Sequence, residues 1–212
     1  MLLSAVAQYF EIHPQNPQKR LIREAVTILK ASGVIVYPTD SLYALGCQVG
    51  DKAAMERMRW IRDIDDTHHL TLMCRNLSQI GEYARLDNRA FRLMKESTPG
   101  SYTFILQASR DLPRRVAHAR SKTIGVRIPG NPIAIALLEE LGEPMLSTSL
   151  LLPGDDEPLD RASDIRARLE HSVDLVIDGG TCGVEPSTVI DLTQGAPVVV
   201  RQGKGSVAPF LH

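Results

Sequence analysis

Residues 34–46, VIVYPTDSLYALG, decide how this chain is read. The run opens on four apolar residues rich in β-branched and aromatic side chains, which predicts a buried strand. It stops at Pro38, because a proline has no N–H to give a central ladder. Thr39, Asp40, Ser41 and Tyr43 then deliver hydroxyls and a carboxylate at the C-terminal edge of that strand, where open α/β sheets hold their ligands. The alternative reading of PTDS is a turn whose side chains cap the next helix. Its place between a buried strand and an apolar, glycine-containing segment favours a site.

On the N-terminal side, the Tyr-Phe-Glu-Ile alternation at 9–12 suits an edge strand. Asn16-Pro17 reads as a helix cap and first helical position, and Leu21, Ile22, Ala25, Val26 and Leu29 share one face until Gly33. On the C-terminal side, Asp51 caps a second helix whose Ala54, Met55, Met58 and Ile61 recur at helical spacing, a core stripe. A strand is predicted at 70–74, helices from Ser78 and from Asp87, the latter carrying Ala90, Phe91 and Met94, and a strand at 102–106. Residues 111–119 read as a short basic helix and 123–129 as a strand halted by proline. Asn131-Pro132 caps a helix over 133–141 that Gly142 closes. The remainder reads as a strand at 145–152 running into Ser147-Thr148-Ser149, a helix at 163–169, and strands at 173–178, 188–192 and 198–201. The sum is an α/β fold, a twisted open mixed sheet of about seven strands with flanking helices.

With 212 residues the chain fits a single domain, and 24 Lys+Arg against 25 Asp+Glu give a net charge of −1. No global field recruits nucleic acid or anionic lipid, so any RNA contact must use a local patch such as Arg114, Arg115, His118 and Arg120, a cluster that otherwise reads as a solvated helix face. Cys47, Cys74 and Cys182 form no C-x-x-C pair, which argues against a zinc ribbon, a thioredoxin-type motif or a secreted disulfide framework. The N-terminus lacks a basic leader with a long apolar core, and no apolar run is long enough to span a bilayer. A cytoplasmic protein with no membrane association is expected.

The predicted strands end again and again in polar groups: Thr39-Asp40-Ser41, Arg127, Ser147-Thr148-Ser149, Ser187-Thr188 and Arg201. Arginine forks match carboxylate and phosphate, and hydroxyls complete their hydrogen bonds, so one cavity for an anionic ligand is expected. The absence of a P-loop and of G-x-G-x-x-G argues against a conventional NTPase or Rossmann dehydrogenase. Arg127, inside an apolar strand, reads either as the solvated face of an edge strand, the commoner case, or as buried against an anion. Adjacent extended residues point opposite ways, so His68 and His69 are read against joint metal ligation, leaving one of them to donate to a substrate.

At PTDS-x-Tyr, Ser-Thr-Ser, TIGVRIP and Ser-Thr-Val-Ile-Asp the sequence resembles the YrdC/YciO-like family, which includes the threonylcarbamoyl-AMP synthases. The likeness runs over 8–203, read as one domain with 1–7 and 204–212 as terminal extensions, and PTDSLYALG, HHLTLM, TPGSYTFIL and LSTSLLLPG resemble the YciO branch most. What the resemblance implies is a YrdC-like fold and the condensation of L-threonine, bicarbonate and ATP, entering with Mg2+, into threonylcarbamoyl-AMP for tRNA modification, with no tightly bound cofactor and no resident metal. It places Thr39, His68, Arg127, Ser147 and Ser187 on threonine, Arg62, Ser149 and Arg201 on the nucleotide, and Arg62 and Ser149 in the catalytic step. An active protein would be a nucleotidyltransferase. The family also implies tRNA or double-stranded RNA as a partner, and the chain is read as a monomer or homodimer.

Two departures stand out. Where the synthases carry Lys-x-Arg this chain has Trp60-Ile61-Arg62, and where they carry Ser-x-Asn it has Ser149-Leu150-Leu151. The lysine would offset charge building on a triphosphate under in-line attack, and the asparagine would fix ATP. Weak synthesis at most is therefore expected. The rival readings are an RNA-binding protein with little catalysis, and an enzyme on another small acid or nucleotide.

Overall fold

Strands that are apolar on both faces need cover on both sides, and this chain interleaves helices with them accordingly. The computed structural model describes residues 6–118 and 120–211; residues 1–5, Ala119 and His212, which include parts of both terminal extensions and the end of the basic helix read at 111–119, lie outside the described residues. β1 (Gln8–Glu11) and α1 (Lys19–Lys30) lead into the decisive stretch, which folds as β2 (Ile35–Pro38), a tight turn and β3 (Tyr43–Gln48). Next come α2 (Lys52–Arg62), β4 (Thr71–Met73), α3 (Leu77–Tyr83), α4 (Asn88–Ser97), β5 (Tyr102–Gln107) and β6 (Thr123–Arg127). They are followed by α5 (Pro132–Leu141), β7 (Met145–Ser149), α6 (Ala162–Leu169), β8 (Leu175–Asp178), β9 (Thr188–Asp191) and β10 (Val198–Arg201).

Among the described residues the strands form one ten-stranded sheet in the order β1-β8-β2-β3-β7-β4-β6-β5-β9-β10. It is mixed: β2 with β8, β4 with β6 and β5 with β9 are parallel, while β2–β3, β3–β7 and β5–β6 are antiparallel. The count exceeds the seven or so expected, and the plainest omission is β3. Residues after PTDS do not trail off as an apolar segment; they turn back as a hairpin in which Tyr43 faces Pro38 and Gly46 faces Ile35. PTDS therefore caps no helix.

Alternation along the hairpin sorts the core into two layers. Val34, Val36, Tyr43 and Leu45 pack with α2, α3, α4 and α6, whereas Ile35, Tyr37 and Ala44 pack with α1 and α5. On that second face α1 and α5 cover the strands on the β1 side of the sheet and stop short of the rest. Beyond them the same face carries Ser147, Ser149, Thr71, Gly125, Arg127, Thr103 and Ser187, too polar to receive a helix, and it is left concave.

Local chemistry explains the boundaries that differ from expectation. The imidazole Nδ1 of His13 accepts from the Gln15 and Asn16 N–H groups, holding 13–16 as a turn, so α1 begins at Lys19 rather than at Asn16-Pro17. Asn76, not Ser78, caps α3 by accepting from Gln79 N at 2.9 Å. Residues 111–118 form turns rather than a helix: Val116 N donates to Pro113 O and His118 N reaches across to Thr123 O. Phe91 and Trp60 stand out in solvent, 41% and 74% exposed. The segment after β10 packs closely, with Phe210 buried against Tyr102 and Phe104 and Lys204 Nζ donating to Asp40 O at 2.7 Å. No helix among the described residues is long and apolar enough to cross a membrane.

Two glycines test this packing in opposite directions. A Cβ on Gly203 would sit on the Pro186 carbonyl oxygen and 2.8 Å from the Ser187 carbonyl, both rigid backbone beside the concave face. Gly203→Ala is expected to cost about 1–3 kcal/mol. Gly81, inside α3, has no atom within 4 Å of its would-be Cβ, and Gly81→Ala is expected to stabilise by about 0.5–1 kcal/mol. Urea unfolding of the two variants checks both signs.

Candidate functional site

The open part of the sheet face is the floor of a cavity of about 760 Å3. Its residues come two apart along successive strands: Ser147 and Ser149 on β7, Thr71 and Met73 on β4, Gly125 and Arg127 on β6, Thr103 and Ile105 on β5, Ser187 and Val189 at β9. This is the period of a pleat, so the site lies across a sheet face and not simply at the strand ends where it was expected. The structure brings Thr39, Arg62, His68, Arg127, Ser147, Ser149, Ser187 and Arg201 together around this one cavity. Thr71 and Thr103 also line it and went unremarked in the sequence, where the signal was the alternation of hydroxyls and glycine with apolar residues; Asp156 joins them from the acidic loop at 154–158.

Arg127 is buried, contrary to the commoner reading of a solvated edge position, and the anion it meets is internal. Its Nη2 donates to Asp40 Oδ1 at 2.8 Å and its Nη1 to Ser41 Oγ at 2.9 Å. Asp40 is gripped further by the Gly130 N–H at 3.1 Å and the Ser101 hydroxyl at 2.9 Å. One carboxylate thus ties the β2–β3 turn to the end of β6 and to the entry of β5.

The direction of each hydrogen bond says what remains for a ligand. Thr39 Oγ1 donates to Leu42 O at 2.6 Å, so the Ser41 hydroxyl, itself accepting from Arg127, must donate to Thr39. The Thr39 hydroxyl is spent inside its turn. Ser147 Oγ donates to Leu45 O at 2.9 Å and accepts from Tyr37 OH at 2.8 Å, which leaves it one lone pair and no proton to offer. Ser187 Oγ is 2.8 Å from Thr103 Oγ1, and the Ser187 carbonyl accepts from Nε and Nη2 of Arg201.

Cationic groups dominate the electrostatics. Arg62, Arg127 and Arg201 face Asp156 as the carboxylate among the lining residues, and the buried Nε–H groups of Arg62 and Arg127 have no protein partner. Removal from water draws the Arg62 and Arg201 guanidiniums below their usual range, Arg127 adding to the effect on Arg201, yet a guanidinium stays charged. Desolvation, then Arg62, pulls the His68 imidazole down, with Arg59 and Arg201 adding and Asp65 opposing. His68 is therefore a neutral donor or acceptor near pH 7. The exposed side chains of Leu151, Val184 and Val200 add apolar surface to the lining. Trp60 is not among the lining residues.

A family model described as "Telomere recombination", which joins Sua5, YciO and YrdC, matches residues 27–203. The chain belongs to the Sua5/YciO/YrdC family. Among Sua5/YciO/YrdC proteins it is 59% identical over 206 residues to YciO of Escherichia coli strain K12, covering 97% of this chain and 100% of that one. The crystal structure of E. coli YciO superposes with a TM-score of 0.94. A threonylcarbamoyl-AMP synthase of Pseudoalteromonas translucida is 31% identical over 82% of this chain and 94% of its own length. The crystal structure of P. abyssi Sua5 complexed with L-threonine has a TM-score of 0.84 at 26% identity, covering 92% of this chain and 57% of that one.

The Asp40–Arg127 pair carries a direct prediction. Asp40→Ala leaves a guanidinium only 6% exposed without its counter-charge, which is expected to cost about 3–5 kcal/mol. Asp40→Asn keeps two acceptor or donor positions and is expected to lose less. Denaturant midpoints at constant slope are the measurement: equal loss in both variants would show that the charge alone is what matters, and an Asp40→Asn variant as stable as the wild type would show that it is not.

Proposed function

We propose that this protein is a YciO-type relative of the threonylcarbamoyl-AMP synthases that binds L-threonine and ATP in the cavity described and forms threonylcarbamoyl-AMP slowly. The observation that carries the reading is the convergence of three guanidiniums on one hydroxyl-floored cavity, two of them with an unpartnered buried Nε–H. Such donors suit a carboxylate and phosphates. In this reading Arg127, Ser187 and His68 hold threonine, the lone pair of Ser147 accepts from its ammonium or hydroxyl, and Thr39 acts through the turn it fixes. Arg62, Ser149 and Arg201 meet the nucleotide, which enters with Mg2+ on its phosphates.

The chemistry is a condensation. Threonine's amine adds to bicarbonate carbon with loss of water, giving a carbamate. A carbamate oxygen then attacks the α-phosphorus of ATP, the bond to the bridging oxygen breaks, and pyrophosphate leaves. Negative charge accumulates on that leaving group, so Arg62 and Arg201 lower the barrier by their fixed positive charge. The side chain at 151 is a leucine on the rim, and it offers the nucleotide contact area but no hydrogen bond. This accounts for slow turnover.

Pyrophosphate release with L-threonine, bicarbonate and ATP, run beside a panel of other amino acids, tests the reading. Threonine-dependent release is expected, and Leu151→Asn is expected to raise it about fivefold, the worth of one hydrogen bond of about 1 kcal/mol. Trp60→Lys is tolerated, since Trp60 is 74% exposed, but it adds little from outside the cavity. Release that ignores threonine and follows another amino acid would overturn the substrate assignment.

A second reading has its own observation. A groove of about 560 Å3 beside α2 is lined by Lys52, Arg59, Arg114, Arg115 and Lys122, with Glu56 and Asp66 as the acidic members. It is a local cationic patch on a chain of net charge −1, and it suits the phosphates of tRNA or double-stranded RNA. If RNA docks there, affinity falls steeply between 50 and 200 mM salt, by roughly tenfold or more for a few phosphate contacts. Binding that is flat with salt removes this reading.

A further inference from the structure

His69, which lines the cavity, lies face to face with His118, their ring centroids 4.2 Å apart and their planes within 12°. Two hydroxyls join their edges. His69 Nε2 is 2.9 Å from Thr123 Oγ1, which is 2.6 Å from Ser121 Oγ, which is 2.8 Å from His118 Nδ1. The other His118 nitrogen, Nε2, lies 2.8 Å from the Thr67 carbonyl oxygen. A carbonyl only accepts, so Nε2 carries the proton.

That one contact orients the whole chain, with hydrogens assigned from the network. The neutral His118 ring accepts at Nδ1 from the Ser121 hydroxyl and from the Ser121 N–H at 3.2 Å. Ser121 then accepts from Thr123, and Thr123 accepts from His69 Nε2–H. Every proton has one place.

We propose that His118 is a positioning residue for this cavity: through the bond from its Nε2–H to the Thr67 carbonyl it clamps the 65–69 turn, and with it His68, against the rim. The proposal rests on the cavity being the binding site. The surrounding charges are Asp65, which accepts from Thr67 N at 2.8 Å, then His68, Asp191 on β9 facing His69, and Arg120 and Lys122 on the loop that carries His118. Asp191 favours a charged His69, but desolvation, His118 and His68 outweigh it and hold that imidazole below its ordinary value.

Amide hydrogen exchange of 65–69 in the full chain at pH 7.5, corrected for the intrinsic rate, tests the clamp without any ligand. His118→Phe keeps a flat ring but no donor, and its turn should open about fivefold more often, the worth of one hydrogen bond of about 1 kcal/mol. His118→Gln supplies an amide donor to Thr67, so its protection should match the wild type. Wild-type protection in His118→Phe, or a His118→Gln turn as open as that of His118→Phe, overturns the proposal. L-Threonine titrated in parallel is expected to weaken for His118→Phe and not for His118→Gln. If wild-type protein binds no threonine, the substrate reading fails while the exchange result alone still decides the clamp.

Discussion

A guanidinium taken out of water must be met by charge and hydrogen bonds, and the meeting of Arg127 with Asp40 is the constraint on which this site depends. The pair joins three chain segments that are far apart in sequence: the turn after β2, the end of β6 and the entry to β5. Lys204 adds a fourth by donating to the Asp40 carbonyl. Because Asp40 balances Arg127 internally, what this arginine gives the cavity is directional N–H groups more than net charge. The net positive field comes from Arg62 and Arg201, set against the single carboxylate, that of Asp156, among the described lining residues.

The same bookkeeping of donors and acceptors divides the hydroxyls. Thr39 and Ser41 are consumed in relaying Arg127 to the Leu42 carbonyl, so their turn is rigid before any ligand arrives. Ser147 retains acceptor capacity only, and the cations retain donors. A ligand that suits this distribution carries anionic oxygen atoms toward the arginines and a donor toward Ser147, which describes an amino acid beside a phosphate chain. The apolar rim of Leu151, Val184 and Val200 adds contact area without polar recognition. Family membership and a YciO-like fold agree with the architecture that frames this cavity.

Much of this was legible because local signals and tertiary structure agreed. Asp51, Asp87 and Asn131 cap the helices they were expected to cap, and the buried strands at β4, β5, β6 and β8 follow apolar runs. Other features depend on partners that a linear reading does not show. The β3 strand was hidden because ALGC carries little strand propensity; it is made a strand by pairing with β2 and β7. The floor of the cavity was read as polar punctuation at strand ends, whereas its residues alternate along the pleat, and only the neighbouring strands reveal that Thr71, Gly125 and Thr103 adjoin. Residues 111–118 have helical composition but spend their N–H groups on Pro113 and Thr123. The partner of Arg127, 87 residues away, was invisible until the fold placed it.

The measurement that bears most directly on the account is a crystal structure of the protein soaked with L-threonine and ATP. The account predicts density for an amino acid whose carboxylate lies against Arg127 and Ser187, with its ammonium or hydroxyl donating to Ser147 and the nucleotide phosphates on the Arg62 and Arg201 side of the same cavity. Density for either molecule elsewhere, with this cavity holding only water at saturating concentrations, would contradict it.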